Sequence, residues 1–480
     1  MLKFLNTILP QFHSCFSRNA TFEWFVVIIV GLMVRTDHLG VTSIIRDLSL
    51  HSSVYESMIH FFHSNAWALE SLQSTWARIV CRTAPLVTIR ERVVLVGDGM
   101  NQSKEARHMP GVKKMHQDSE NSSKGEFIFG HLFGAIGILV GTSQKWFCLP
   151  LSMQLQAGIK TIFGWNPSSA QRQDSHVVQL IDQAFMAAKA CGRHAYLVLD
   201  RYFLSAPALE RLAQRNQSES SHIHIVTKAK SNATAYERPA ARTGRRGRPP
   251  KKGAMVKLRE LFSTRADDFQ TAEVTLYGKK ETVKFLCLDL LWGQGLYQEL
   301  RFVLVVRDKY PLAILVSTDL TLAAATIIEL YGWRFKIECM FREMKQVIGA
   351  FDYHFWSTSM PKLKRYLKKG EVDPLEEVKG DKERKRIRAT VDAIEGFVMC
   401  GCIATGLVQL LALRFSYTVP GLFSRYLRTP SKSIVSEATV TTYLRKSIFR
   451  MFAQNPHFAI TQIIRSKQGE PTDDADLLAS

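Results

Sequence analysis

The chain has 480 residues, enough to bury a sizeable core and to form roughly two to four domains. Its 63 Lys and Arg residues exceed its 43 Asp and Glu residues and give a formal net charge of +20. This excess argues against an ordinary metabolic enzyme and makes nucleic acid the expected partner, although general anion binding is the alternative.

The cysteines and the termini indicate a cytoplasmic protein. None of the eight cysteines has the CxxC spacing of a zinc site, so we expect reduced core residues. The N-terminus lacks the pattern of a secretory signal. The apolar run Phe397–Leu413 is borderline in length for a membrane span, but it contains small residues and Gln409. We therefore expect a buried helix and no membrane partner.

Residues 1–88 are predicted to form an all-helical N-terminal domain. The predicted helices are Phe22–Val34, Val41–Leu48, Val54–Phe62 and Trp67–Cys81. Short helices at this spacing are compatible with a helix-turn-helix-like unit that binds DNA. A small bundle used for dimerisation would give the same pattern.

Two apolar strands are each predicted to end at an aspartate. Val93–Val96 leads to Asp98, and Ala195–Leu199 leads to Asp200. Inner strands with continuous apolar runs lie side by side and present their ends at one edge of a sheet, where sites form. A single aspartate after a strand is more often a turn former or a helix cap. The repetition of the pattern makes both residues candidates for a site.

A basic loop, Asn101–Lys124, follows the first aspartate and carries Lys104. Its length and charge suit contact with phosphates, and an ordinary solvated loop is the alternative. The elements predicted between the loop and the second aspartate are strands Phe127–Val140 and Trp146–Leu155 and helix His176–Ala190.

A second basic segment, residues 240–252, has the sequence AARTGRRGRPPKK and contains no acid. Arg246 and Arg248 resemble the core of an arm that lies in the minor groove of A·T-rich DNA, although such tracts are also common as charged linkers. Strands follow in quick succession, as in an inserted β unit. Trp292 is a candidate for stacking on an unpaired base, although a tryptophan at a strand end is more often in a core.

The stretch Tyr331–Lys345 is predicted to be one helix with two distinct faces. Its polar residues lie within about 60° of one another, and a second stripe has the spacing of a buried face. The polar residues are Tyr331, Arg334, Glu338, Arg342 and Lys345, and the apolar ones are Ile337, Phe341, Met344 and Ile348. A solvated face with an Arg–Glu pair is the alternative.

Asp98, Asp200 and Glu338 would repel one another as three neighbouring carboxylates, so either some of them are protonated or a divalent cation lies among them. Oxygen ligands without a Cys or His cluster favour Mg²⁺ (or Mn²⁺) over zinc, as two ions roughly 4 Å apart. Such a site suits phosphodiester cleavage. Arg334 and Lys345 would then hold DNA phosphates.

Tyr331, Arg334, Glu338 and Lys345 match the spacing Y-x2-R-x3-E-x6-K. This pattern resembles the signature of the hairpin-forming group of bacterial insertion-sequence DDE transposases, and the order of strands and helices is similar from about residue 22 to residue 413. The resemblance implies an α/β fold: a ribonuclease-H-like catalytic core, a mixed sheet with flanking helices, with a β-rich insertion. It also implies a metal-binding triad of Asp98, Asp200 and Glu338, with Tyr331, Arg334 and Lys345 on the transposon end.

By this resemblance the reaction is cut-and-paste transposition through a DNA hairpin. The partners would be double-stranded DNA, as terminal inverted repeats and as target, and a second copy of the chain in the DNA complex. The protein would work in the bacterial cytoplasm, associated with the nucleoid. Two alternatives remain: a transposase-derived DNA-binding or regulatory protein without strand transfer, and a simple metal-dependent nuclease.

The predicted domains follow from these elements. They are a helical N-terminal domain (1–88), the first part of the catalytic core (89–230), the basic arm and β-rich insertion (231–318), the rest of the core with the glutamate helix (319–416), and a helical C-terminal region with an acidic tail (417–480).

Overall fold

The computed structural model describes most of the chain, in eight segments. They are residues 1–37, 39–116, 126–142, 145–166, 174–240, 250–364, 371–419 and 434–469. The chain forms two compact units. The first comprises Met1–Leu86, Gly99–Gln179 and Cys339–Ser480, and the second comprises Val87–Asp98 and Leu180–Glu338.

The helices are numbered here in chain order. They are α1 (Leu2–Ile8), α2 (Asn19–Val34), α3 (Val41–Asp47), α4 (Tyr55–His63), α5 (Leu69–Thr83), α6 (Lys160–Gly164), α7 (His176–Cys191), α8 (Ala206–Ser218), α9 (Leu261–Thr264), α10 (Ala324–Trp333), α11 (Lys336–Glu343), α12 (Asp381–Arg414), α13 (Glu437–Gln454) and α14 (Ala459–Arg465).

The strands are numbered in the same way. They are β1 (Thr88–Ile89), β2 (Arg92–Ser103), β3 (Lys113–His116), β4 (Phe127–Thr142), β5 (Lys145–Leu155), β6 (Ala195–Leu199), β7 (Ile223–Lys228), β8 (Thr234–Tyr236), β9 (Met255–Lys257), β10 (Gln270–Leu276), β11 (Lys279–Trp292), β12 (Gln298–Val306) and β13 (Ala313–Ser317).

The second unit is built on a large mixed sheet. Its strand order is β2-β6-β7-β13-β12-β11-β8-β9, with β1 paired to β2 and β10 paired to β11. The pairs β2–β6 and β6–β7 are parallel, and β7 begins the antiparallel part by pairing with β13. Strand β6 is buried along its whole length, as expected for an inner strand with a continuous apolar run.

Helix α10 packs on this sheet, against β7, β10, β12 and β13. Its buried residues include Ile327, Ile328 and Leu330, which hold the helix against the strands. The second unit is therefore a mixed α/β structure. Tyr331 lies in the last turn of α10, so the packing of this helix on the sheet fixes its position.

The first unit is organised around the long helix α12, which contacts β5, α2, α4, α5 and α13. By length and composition α12 is the one helix among the described residues that could cross a membrane, and 94% of its most apolar window is buried within the protein. The buried helix expected at Phe397–Leu413 is confirmed. The β4–β5 hairpin supplies the surface on which α12 packs.

The predicted helices of the N-terminal region are confirmed as α2 to α5, with small differences at their ends. One expectation was wrong. Strand β2 does not end beside Asp98 but continues to Ser103. Six of the eight cysteines are free thiols.

Gly401 lies where α12 passes closest to the chain at Ala350. A Cβ atom added at Gly401 would lie 2.3 Å from the Ala350 Cβ and 2.9 Å from its Cα. We expect Gly401→Ala to lower the free energy of unfolding by about 1–3 kcal/mol, because backbone must move to admit the methyl group. Denaturant titration measures this. Gly99→Ala is the matched control, because its Cβ would meet only Leu132 Cδ1, at 3.5 Å. Equal stability of the two variants would contradict this account.

Candidate active site

Asp98 lies within β2, and Asp200 lies just after the neighbouring strand β6, in the second unit. Strands β2 and β6 are parallel, and the last residues in register are Gly97 and Leu199. Asp98 and Asp200 each follow directly, so their backbones lie on adjacent strands, which are roughly 4.8 Å apart in a sheet. The expected side-by-side arrangement of the two strands is confirmed.

Asp200 occupies the N-cap position of a short 3₁₀ turn, Arg201–Phe203, but its side chain makes no cap hydrogen bond. Its backbone carbonyl accepts hydrogen bonds from the Phe203 amide at 3.0 Å and from the Thr227 hydroxyl at 2.9 Å. The Tyr331 hydroxyl donates a long hydrogen bond, 3.4 Å, to Asp200 Oδ1. The backbone thus fixes the residue, while its carboxylate faces the tyrosine.

The single helix predicted over Tyr331–Lys345 is wrong. Helix α10 ends at Trp333, a turn follows, and α11 begins at Lys336. The amides of Arg334, Ile337 and Glu338 bond to carbonyls three residues earlier, at 3.0 to 3.1 Å, rather than four residues earlier. Gly332, a poor helix former, precedes the break. Helix α11 is followed directly by a π-helical turn, Met344–Ile348.

Arg334 lies between two of the candidate carboxylates. Its Nη1 donates to Asp98 Oδ2 at 3.0 Å, and its Nη2 donates to Glu338 Oε1 at 2.7 Å. The Arg334 side chain is 17% exposed, compared with 20% for Asp98 and 44% for Glu338. The Arg334 guanidinium therefore links Asp98 to Glu338, and the break between α10 and α11 positions it to do so.

The electrostatics of the site follow from this packing. Burial acts to lower the pKa of Arg334, but Asp98, Tyr331, Asp200 and Glu338 outweigh burial and raise it. Burial raises the pKa of Tyr331 well above its ordinary value, and the charge of Asp200 adds to the effect. At neutral pH the site thus contains a charged guanidinium and a neutral phenol among three carboxyl groups.

No group of three or more His, Cys, Asp and Glu side chains is arranged to hold a metal ion in the described segments. At Asp98 and Glu338 the positive charge is supplied by Arg334. The carboxylates accordingly form a site that attracts a cation, which is the property a hard divalent metal would use.

Lys345, the last residue of the signature, and Arg342, on the same predicted polar face, lie in the first unit. Lys345 donates from Nζ to the Asn101 carbonyl at 3.2 Å. Arg342 donates to Glu343 at 3.0 and 2.7 Å. The apolar stripe is confirmed, with Ile337, Phe341, Met344 and Ile348 at most 9% exposed.

The predicted basic contacts differ in their surroundings. The Lys104 ammonium donates to the carbonyls of Phe351 and Tyr353, at 2.7 and 3.0 Å, and it lies 4.0 Å from the centre of the Tyr353 ring. Most of its donor capacity is therefore used inside the unit. Arg246 and Arg248 lie outside the described residues.

Trp292 lines a cavity of about 380 Å³ in the second unit, together with Arg201, Lys230 and Tyr236. Arg201 directly follows Asp200, so the cavity begins one residue from the aspartate. Sequence reasoning missed Lys230 and Tyr236. Lys230 lies two residues past the end of β7, the neighbour of β6, and this strand-end position was a usable signal.

Residues 11–281 match the family model described as DDE superfamily endonuclease. This range is more than half of the chain. The chain belongs to the DDE superfamily endonuclease family. The matched range contains Asp98 and Asp200 and ends before Tyr331, Arg334 and Glu338. Endonucleases of this superfamily generally use divalent metals.

Among solved structures, the chain is similar to the cryo-EM structure of a piggyBac transposase synaptic complex with hairpin DNA. The two share 12% sequence identity over 95% of this chain and 77% of that chain, with a TM-score of 0.36. No curated protein matches the sequence.

Proposed function

We propose that this DDE superfamily endonuclease is an insertion-sequence transposase that cuts DNA at transposon ends and joins them to target DNA. The observation that carries the proposal is the hydrogen-bonded group of Asp98, Asp200, Tyr331, Arg334 and Glu338 in one unit. Three of these residues belong to the spacing Y-x2-R-x3-E-x6-K, and the other two directly follow the last paired residues of two adjacent parallel strands.

The donor set fits a divalent metal. Asp98, Asp200 and Glu338 offer only carboxylate oxygens, and the Arg334 guanidinium already acts as a cation between two of them. These three residues would hold Mg²⁺ (or Mn²⁺), as two ions. The chemistry supplied by the ions is activation of the attacking oxygen and stabilisation of the leaving oxygen at phosphorus.

The remaining side chains bind and position the DNA. Arg334 can exchange its carboxylate partners for phosphate oxygens, which a guanidinium recognises with two parallel hydrogen bonds. Tyr331 is a neutral phenol and donates its proton in a hydrogen bond, to Asp200 in the free protein and to a phosphate in the complex. Lys345, the last residue of the signature, and Arg342 supply further positive charge for binding DNA phosphates.

The proposed reaction is a series of exchanges at phosphorus. Water attacks the phosphodiester at the transposon end, and the bond to the 3′ oxygen breaks to leave a free 3′ hydroxyl. That hydroxyl attacks the opposite strand to form a hairpin, water opens the hairpin, and the same hydroxyl attacks target DNA. Each step makes one P–O bond and breaks another, so no oxidant or reductant is needed.

Trp292 is proposed to stack on an unpaired base at the transposon end. Its cavity also contains Arg201 and Lys230, which suit a nucleotide's phosphate, and Tyr236, which is a second aromatic surface. Lys104, Arg246 and Arg248 remain predicted contacts with the DNA backbone.

Trp292→Ala is expected to weaken binding to terminal-repeat DNA by about 1–3 kcal/mol, the value of one base stacked on an aromatic ring. Trp292→Phe keeps a ring in the cavity and should retain most of the affinity. Equilibrium titration with labelled duplex measures both. If the two variants lose the same affinity, stacking is not the role of Trp292.

The finer features of the fold and assembly are also proposals. They are a ribonuclease-H-like core, the domain scheme 1–88, 89–230, 231–318, 319–416 and 417–480, a homodimer in the DNA complex, and a place in the bacterial cytoplasm near the nucleoid. The mixed sheet of the second unit, with α10 on one side, supports the first of these.

Incubation of the protein with Mg²⁺ and terminal-repeat DNA tests the proposed function. Hairpin and joined products are expected. Cleavage without either product would instead indicate a simple metal-dependent nuclease. Binding without cleavage would indicate a transposase-derived DNA-binding protein. Short inverted repeats flanking the gene would support a mobile element.

A further inference from the structure

The first unit contains a cavity of about 410 Å³ whose charged lining residues are mainly basic. It is formed by the segment that follows β2, by the start of β3, and by residues near 363 and 373. Its charged lining residues are Lys104, Arg107, Lys113, Lys114 and Lys364, against Glu105 and Asp373.

Backbone contacts hold the rim of this cavity. The Leu363 amide donates to the Arg107 carbonyl at 2.9 Å, and the Ser357 amide donates to the His108 carbonyl at 3.1 Å. Gly158 has a φ of +72°, and a Cβ added there would lie 2.4 Å from the Gly111 carbonyl oxygen. The basic residues therefore project from a fixed backbone.

Lys113 of β3 lines the cavity, and Lys160, at the start of α6, comes two residues after the lining residue Gly158. His176 is at the start of α7. Partial burial and the charge of Lys160 lower the pKa of Lys113. Burial, Lys113 and Lys160 lower the pKa of His176. A bound anion would offset the like charges of these groups.

The cations around the cavity differ in their availability. Lys104 donates to two carbonyls, and the Lys114 ammonium lies 4.0 Å from the centre of the Phe127 ring. By contrast, Arg107, Lys113, Lys160 and Lys364 are exposed, and no described carboxylate forms a salt bridge with them.

We infer that Arg107, Lys113, Lys160 and Lys364 bind backbone phosphates of double-stranded DNA and form a DNA contact in the first unit, separate from the carboxylate site. The inference rests on the proposed function only in taking DNA as the partner. Charged donors without paired acceptors recognise phosphate rather than base edges, so the contact would be independent of sequence. The net charge of +20 agrees with a polyanionic partner.

The test is the salt dependence of duplex binding by the full chain and by a Lys113→Met/Lys160→Met variant. The slope of log K against log salt is negative, and each lost phosphate contact makes it less steep by about 0.9. The slope of the double variant should therefore be less steep than that of the wild type by about 1.8. The loss should be equal for terminal-repeat and unrelated duplexes. Arg450→Met/Arg465→Met, which removes two exposed charges from α13 and α14, is the matched control.

The other readouts separate the possible outcomes. The unfolding midpoint of the Lys113→Met/Lys160→Met variant should be unchanged or higher, because the substitutions relieve repulsion. An unchanged salt slope would overturn the inference. If inorganic phosphate raised the midpoint of the wild-type chain but not of the variant while the slope stayed the same, the cluster would bind a free anion instead. Failure to cleave terminal-repeat DNA would refute the proposed function and leave this DNA contact intact.

Discussion

Glu338→Gln is expected to abolish strand cleavage while leaving binding to terminal-repeat DNA within about twofold of wild type. The substitution removes the negative charge that would hold a metal ion but keeps the size of the side chain. We expect a rate loss of roughly 10⁴-fold or more, the size found when one member of a protease catalytic triad is removed. Single-turnover cleavage and equilibrium binding, measured on the same duplex, separate the two effects.

The fold should survive this substitution. Glu338 is 44% exposed, and its ion pair with Arg334 contributes less than about 1 kcal/mol. Arg334 keeps its contact with Asp98. Glu329→Gln is the matched control, because Glu329 lies on α10 of the same unit and accepts a hydrogen bond from the Thr275 amide, which a glutamine oxygen can also accept. Parallel loss of cleavage and binding in Glu338→Gln would contradict a metal-binding role.

The positions of Asp98 and Asp200 could be predicted from the local pattern of apolar residues in the sequence. Val93–Val96 and Ala195–Leu199 are continuous apolar runs, and such runs pair inside a sheet with their ends at a common edge. The length of β2 could not be predicted, because its last residues are polar and are held by partners distant in sequence. The Lys104 amide, for example, bonds to the Phe129 carbonyl just beyond the strand.

The segment that carries Glu338 could not be predicted correctly from helical periodicity. The spacing of Tyr331, Arg334 and Glu338 suggested one helix, but the turn at Arg334 and Phe335 depends on tertiary contacts. A Cβ at Gly332 would lie 2.6 Å from Leu276 Cδ2, so the chain approaches β10 closely just before the break. Periodicity indicated the pair of Arg334 and Glu338 as an alternative, but it gave no sign that Arg334 would also bind Asp98. The cluster of Lys113, Lys160 and His176 was missed because it joins three separate elements.

Arg334→Ala is expected to change metal binding and DNA processing in opposite directions. Without the guanidinium, Asp98 and Glu338 lose the cation that now lies between them, so the free protein should be destabilised by about 1–3 kcal/mol. A divalent ion should then bind more tightly, because it no longer competes with Arg334. Hairpin formation should weaken, because the phosphate loses a bidentate partner.

Thermal unfolding with and without Mn²⁺ measures the first effect, since a ligand that binds only the folded state stabilises it in proportion to RT ln(1 + [L]/Kd). The rise in midpoint on adding Mn²⁺ should be larger for Arg334→Ala than for wild type, with Arg334→Lys between them because it keeps the charge but loses the fork of donors. Arg301→Ala is the control: Arg301 pairs with Asp289 at 2.8 Å in the same unit, so its loss should destabilise the protein without changing the response to Mn²⁺. An equal response in all four proteins would mean that Asp98 and Glu338 bind Arg334 for stability alone and do not hold a metal.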